Sequence, residues 1–220
     1  MASKDPGEGR RPVAVALDQP VPPAADAGPG RSLLETADEL GERLPGIRVE
    51  IIAGVLIVTP PSDLAHALAL TDVTAALIRA GLDRGATRVV QAAGLWGSRA
   101  DGYAVPDLAV IDAGFEAHHV QRNCYEAAVF RMVLEVTSRN RGVDLVTKRE
   151  EYAALGIPVY VIADRKAEMV FVLTGPDGDD YRHEAAYRRG ETFILPPTIG
   201  AAVELRVDLA LGPQWTTGVA

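Results

Sequence analysis

VPDLAVID (105–112) and AVFRMVLEVT (128–137) are the two stretches on which the fold turns. In both, apolar residues fill the two alternating sets of positions. That pattern belongs to a strand covered on both faces in the middle of a sheet, not to a half-exposed edge. Each run also carries one acid where desolvation normally excludes a charge, Asp107 in the first and Glu135 in the second. If the two strands are neighbours, their carboxylates meet in a cleft and repel unless positive charge lies between them. A divalent cation with oxygen ligands and several waters meets that need, which points to Mg²⁺ or Mn²⁺ rather than zinc.

The segment after the second run reads SRNRGVDLVTKREEY (138–152). Its spacing predicts a helix near 142–155 that closes at Gly156, with Pro158 beyond. Asp144 and Lys148 stand four apart, hence on one face, with Tyr152 one turn further. Packed across the sheet, that face brings the Lys148 ammonium back over the acidic strand ends, where it can orient a water carried by the cation. Lysine is scarce here: only Lys4, Lys148 and Lys166 occur among 22 basic residues. Glu50, inside IRVEII (47–52), is a third acid in an apolar run, and His66 offers a phosphate-facing or basic group near a helix start. Arg139 and Arg141, between strand and helix, are placed to meet phosphate.

Each residue also has a plainer reading. Asp107 could be a strand-end turn residue, and Glu135 the ion-pair partner of Arg131 or Arg139. Lys148 could be a solvated helix lysine paired with Glu151 or Asp144, and Glu50 a member of an exposed strand face. Tyr152 reads as a packing residue whose hydroxyl touches the site rim. The neighbouring His118 and His119, with Cys124, lack ligand spacing for zinc.

Working outward, residues 1–31 are rich in proline and glycine and read as a flexible N-terminal arm. Ser32 and Glu35 form a capping box before a helix that Pro45-Gly46 ends. IRVEII and VLIVT (55–59) flank Ala53-Gly54 as a hairpin, and Ser62 caps a second helix over roughly 62–83. Short strands follow near 87–92 and 94–97, and a polar loop carries His118 to Cys124. VYVIAD (159–164), EMVFVL (168–173), YRHEAAY (181–187) and ETFIL (191–195) read as antiparallel strands, with one more over 201–209. The order gives a single α+β domain over 32–212, with a mixed sheet, flanking helices and extra antiparallel strands, and a tail over 213–220.

At 220 residues the chain can bury a core without staples, and one cysteine excludes a disulfide framework and any multi-cysteine zinc site. No apolar run is long enough to span a membrane and the first residues lack a secretory apolar core, so a cytoplasmic location is expected. A net charge of −8 excludes a broadly basic nucleic-acid coat, though not a local basic cleft.

An ordered series over 40–209 resembles one family. VEIIAGVLIVTPPS with His66 after it, VPDLAVI, LEVTSRN, D-x-x-x-K, YAALGIPVYVIAD and GETFILP are similar to the Uma-two branch of restriction-endonuclease-like proteins, within the PD-(D/E)XK nuclease superfamily. The resemblance implies a restriction-endonuclease-like core with Asp107 and Glu135 as metal ligands, Lys148 as catalytic lysine and Glu50 near the same site. In the simplest form of that motif the lysine stands two residues after the acid. Here Thr137 holds that place and the lysine comes from the following helix. The expected activity is metal-dependent endonucleolytic cleavage of nucleic acid, with DNA the expected substrate and a homodimer one way to cut both strands. A non-catalytic interaction module and a phosphodiesterase for small substrates are the alternatives.

Overall fold

The computed structural model describes residues 32–97, 101–137 and 141–214. The arm expected over 1–31, Arg139 between strand and helix, and residues 215–220 of the expected tail lie outside the described residues. Helix α1 (Leu33–Arg43) starts at the predicted capping box. The hairpin β1 (Arg48–Ile52) and β2 (Val55–Thr59) turns at Ala53 and Gly54, both at positive φ as a two-residue hairpin turn requires. Helix α2 (Leu64–Arg79) is shorter than the predicted 62–83: Asp63, not Ser62, accepts the capping hydrogen bond from the His66 amide.

Strands β3 (Thr87–Gln91), β4 (Gly94–Trp96), β5 (Tyr103–Ala104) and β6 (Leu108–Asp112) follow. The expected polar loop is instead a 3₁₀ turn and a short hairpin, β7 (His119–Gln121) with β8 (Cys124–Glu126). Then come β9 (Phe130–Val136), a π-helical turn (Val143–Thr147), α3 (Lys148–Ala154) and β10 (Val159–Asp164). The long antiparallel ribbon β11 (Met169–Asp177) and β12 (Asp180–Arg188) precedes β13 (Thr192–Leu195), β14 (Val203–Arg206) and α4 (Val207–Leu211). The strand expected over 201–209 therefore stops at Arg206. Val207, Ala210 and Leu211 are buried at helical spacing, and α4 rests on α2.

Two six-stranded sheets form rather than one, with β13 and β14 as a separate pair. The main sheet runs β12-β11-β10-β9-β6-β3, all antiparallel except β9 beside β10. The second runs β2-β1-β5-β4-β8-β7. The two apolar runs that open the chain's reading are indeed neighbouring central strands, β6 and β9. Alternation along them separates two cores. Leu108, Val110, Met132, Leu134 and Val136 pack towards α2, α4 and the β13–β14 pair. Ala109, Ile111, Phe130 and Val133 pack towards α3 and the second sheet. The second sheet's first hairpin is sandwiched too: Val49 and Ile51 pack on α1 while Ile52 joins the main-sheet core.

Gly212, just after α4, shows how closely these layers meet. It has φ +71°, and a Cβ there would lie 2.5 Å from the Ala65 carbonyl of α2. Gly178 has a similar φ of +66° but open space around it. Gly212→Ala should therefore lower stability by about 2–3 kcal/mol and Gly178→Ala by about 1 kcal/mol, read from denaturant midpoints of the two variants side by side.

Candidate functional site

The register Leu108–Leu134 places Asp107, one residue before β6, across from Glu135 of β9. By alternation both carboxylates point to the face covered by α3 and the second sheet. The hairpin brings a third: Arg48, Glu50 and Ile52 share the face of β1 turned to the main sheet, so Glu50 is 1% exposed rather than part of a solvated strand. Its Oε1 accepts a hydrogen bond from the Val105 amide at 2.8 Å, tying β1 to the segment that leads into Asp107. The exposed-face reading fails because a two-sided strand can alternate polar and apolar while burying both sets.

The fourth and fifth groups come from the predicted helix, whose first turn is π-helical. Such wide turns recur at functional sites. Tyr160 of β10 donates its hydroxyl hydrogen to the Asp144 carbonyl at 2.9 Å and pins that turn to the sheet. Asp144, Lys148 and Tyr152 share one face, as their spacing requires. The Lys148 ammonium lies 2.8 Å from Glu135 Oε1, 3.1 Å from Glu50 Oε1 and 3.7 Å from Asp144 Oδ1. It is 2% exposed, so it is not a solvated helix lysine. Tyr152 donates to the same Glu135 oxygen at 2.8 Å and is wholly buried, deeper than the rim expected for it. Arg131 pairs with Asp112 instead of Glu135.

Asp107 is held from three directions. Its Oδ1 accepts from Arg48 Nη1 at 2.8 Å, and its Oδ2 accepts from the Val136 amide at 2.9 Å. His66 Nε2 lies 3.3 Å from Oδ2, so the α2 histidine faces the carboxylate and not solvent. Arg141, the second arginine after β9, is drawn away to Asp164 at the end of β10. Arg48 is the residue that sequence reasoning missed. The signal was its i, i+2 relation to Glu50, which reads as ordinary strand polarity until the partner face is known.

Four carboxyl groups (Glu50, Asp107, Glu135 and Asp144) thus face two cationic side chains, Arg48 and Lys148. Fully ionised, they leave two negative charges in excess, the charge of one divalent cation. The titration of the cluster reflects that imbalance. Burial pushes the Glu135 carboxyl up to about 8, against the pull of Lys148 and with the push of Asp107. Burial likewise raises Asp144 to about 7. Burial opposes ionisation of Asp107 too, but the His66 hydrogen bond and the Arg48 charge outweigh it and hold Asp107 well below the usual carboxylate range. Lys148 stays charged: burial disfavours the ammonium, and Glu135, Glu50 and Asp144 outweigh it.

The donor chemistry fits a hard divalent ion. All four acids offer carboxylate oxygens, and Mg²⁺ needs only one or two of these when waters complete its shell. Asp107, Glu135, Asp144, Glu50 and Lys148 line a cavity of about 10 Å³, room for one water or one small ion. In this arrangement no three His, Cys, Asp or Glu side chains among the described residues converge as a preformed metal cage. The ammonium and the guanidinium stand where such a cage would otherwise bring carboxylates together.

A cleft of about 1070 Å³ opens beside the cavity, and Arg48, Thr59 and Asp107 line both. Its wall carries four cations (Arg48, Arg165, Lys166 and Arg189) against three acids, Asp63, Asp107 and Glu168. The cleft wall thus carries one positive charge in excess, on a chain of net charge −8. Arg165 is paired with Asp63 at 2.9 Å and Arg189 with Glu168 at 3.2 Å. No helix among the described residues is long and apolar enough to cross a membrane.

Because Glu135 and Asp144 bind protons more tightly folded than unfolded, their linkage runs opposite to that of ordinary paired carboxylates. Stability of the metal-free protein should be greatest near their unfolded values and fall as pH rises from about 4.5 to about 8, through the folded value of Glu135. Calorimetric melting across that range in chelator should show the fall, and Glu135→Gln should flatten it.

A model of the Uma2 family, described as "Putative restriction endonuclease", matches residues 36–208. Among solved structures, the chain is similar to the crystal structure of a "putative nuclease" from Anabaena variabilis, at 18% identity and a TM-score of 0.59 over 82% of this chain and 98% of that one. No curated protein matches the chain. The likeness to the solved structure establishes a shared mixed α/β fold, and the family match spans every strand and helix that builds the acidic cluster. The chain belongs to the Uma2 family of restriction-endonuclease-like proteins.

Proposed function

We propose that this protein is a metal-dependent endonuclease that hydrolyses phosphodiester bonds of nucleic acid, with DNA as its substrate. One observation carries the reading: four buried carboxyl groups and one buried lysine converge on an ion-sized cavity that opens on a cleft. Structural ion pairs alone do not explain why four buried carboxyl groups meet only two cationic side chains beside a cleft. The cleft's volume of about 1070 Å³ suits a strand better than a small phosphate ester.

Asp107 and Glu135 would hold Mg²⁺ or Mn²⁺, with Glu50 reaching it directly or through water. A cation held by those residues would supply polarisation of a phosphate oxygen and acidification of a water. The remaining work falls to the chain's own groups. Lys148, fixed by three carboxylates, donates hydrogen bonds that orient the attacking water. Asp144 holds Lys148 from its own helix face, and Tyr152 fixes the Glu135 rotamer through its hydroxyl. His66 keeps Asp107 ionised and aimed at the cleft. The lysine needs no place on β9, because the π turn delivers it to the Glu135 oxygen from α3. The catalytic unit is the domain over 32–212, and a homodimer would present two such centres to a duplex.

Plasmid and single-stranded DNA should be cleaved with Mg²⁺ or Mn²⁺ and left intact in chelator. Glu135→Gln, Asp107→Asn and Lys148→Met should each slow cleavage by about a hundredfold or more. Unchanged cleavage by purified Glu135→Gln and Lys148→Met proteins would falsify the assignment. Cleavage of a small phosphodiester without cleavage of DNA would transfer it to the small-substrate alternative.

A further inference from the structure

Arg48 lines both the cleft and the ion-sized cavity, and neither motif nor family role accounts for it. Its guanidinium is anchored through a single nitrogen: Nη1 donates to the Val105 carbonyl and to Asp107 Oδ1, each at 2.8 Å. Nε is 3.9 Å from Glu50 Oε2, beyond hydrogen-bond reach, and Nη2 makes no hydrogen bond to the described residues. The side chain keeps 25% of its exposure. Arg165 pairs through Nη1 with Asp63, Arg189 pairs through Nε and Nη1 with Glu168 and Asp208, and neither lines the ion-sized cavity, so Arg48 is the cleft guanidinium that stands beside it.

We infer that Arg48 is the phosphate-binding residue of the site, clamping the non-bridging oxygens of a phosphodiester through its Nε and Nη2 edge beside Asp107. The inference rests on the phosphodiester reading above and names the group that receives the substrate. A planar guanidinium held at one corner presents its remaining donors as a rigid fork, matching two phosphate oxygens at once. Fixing that fork before substrate arrives removes much of the ordering cost of binding. Asp107 has two duties under this arrangement: one oxygen anchors the fork, and the carboxylate as a whole faces the ion-sized cavity. Arg48 therefore sets the distance between the phosphate and the cavity, because both are referenced to the same carboxylate. Lysine at this position would keep the charge and lose the fork.

The test is binding, not turnover. A fluorescein-labelled deoxynucleotide strand and the same strand with uncharged methylphosphonate linkages are titrated by anisotropy in Ca²⁺ buffer. Arg48→Lys and Arg48→Gln should weaken binding of the phosphodiester strand by about tenfold or more, and leave the weak binding of the methylphosphonate strand unchanged. In the wild-type protein, the Arg48 Nε resonance should shift on adding the phosphodiester strand and stay put with the methylphosphonate, a readout that needs no variant to fold. The inference is overturned if Arg48→Lys binds the phosphodiester strand like wild type, if it loses both strands equally, or if the Nε resonance does not distinguish them. Arg48-dependent phosphate binding in a protein that never cleaves would overturn the hydrolytic reading and leave this one standing.

Discussion

The buried ammonium of Lys148 is the constraint on which the centre of the molecule depends. Taking a charge of that kind out of water costs several kcal/mol, recovered only if oppositely charged groups meet it with good geometry. Here the compensation arrives from three separate elements: Glu135 from the main sheet, Glu50 from the second sheet, and Asp144 from the turn before α3. No one of these segments can place its carboxylate without the others. The docking of the two sheets and the seating of α3 are thus tied to a single polar contact set, surrounded by the apolar packing of Ile52, Val133, Tyr160 and Ile162. Removing the lysine alone would strand three acids in that core, whereas the acids can relieve themselves in part by taking up protons.

That asymmetry explains why Glu135 and Asp107, opposite one another across two strands, ionise so differently. Asp107 sits at the edge, where Arg48, His66 and the Val136 amide reach both of its oxygens. Glu135 lies one layer deeper, where burial dominates and Lys148 is shared with two other carboxyls. The site holds one firmly anionic group at its mouth and one proton-binding group behind it. Under the proposed reading such a pair would accept a cation by releasing protons, and its affinity for a divalent ion would rise with pH over the range in which Glu135 and Asp144 titrate.

Much of this was legible in the sequence, for identifiable reasons. Asp107, Glu135 and Lys148 stand out because burial and charge conflict within a few residues, and that conflict is visible without knowing the partner. The face shared by Asp144, Lys148 and Tyr152 follows from helical spacing alone, even though its first turn proved to be π-helical. Glu50 and Arg48 were harder. Alternation says which residues of β1 lie together, but not that the polar face is covered, because that depends on a second sheet assembled from strands as short as Tyr103–Ala104. The same shortness hid the β7–β8 hairpin inside a stretch that reads as loop. At the far end, VELRVDL alternates well enough for one long strand. Only the packing of Val207, Ala210 and Leu211 against α2 and its neighbours turns its second half into a helix.

Composition set the one real obstacle to a nucleic-acid reading, a net charge of −8, and the structure redistributes that charge rather than removing it. Many of the acids lie on the outer surface, paired with arginines such as Arg149 and Arg182. Others are concentrated in the buried cluster, where on the proposed reading they would hold a cation and present no barrier to phosphate. The cleft wall sets four basic side chains against three acids, one more positive group than negative. Overall charge governs long-range approach, and here it opposes tight non-specific binding. Short-range recognition is governed by the few groups that meet the phosphate, and once a divalent ion neutralises the cluster, those groups are predominantly positive. On the proposed reading, a protein built this way would gain little from sliding along nucleic acid and would depend on contacts made at the site itself. Its affinity should therefore rest on very few phosphate contacts, with a correspondingly shallow dependence on salt.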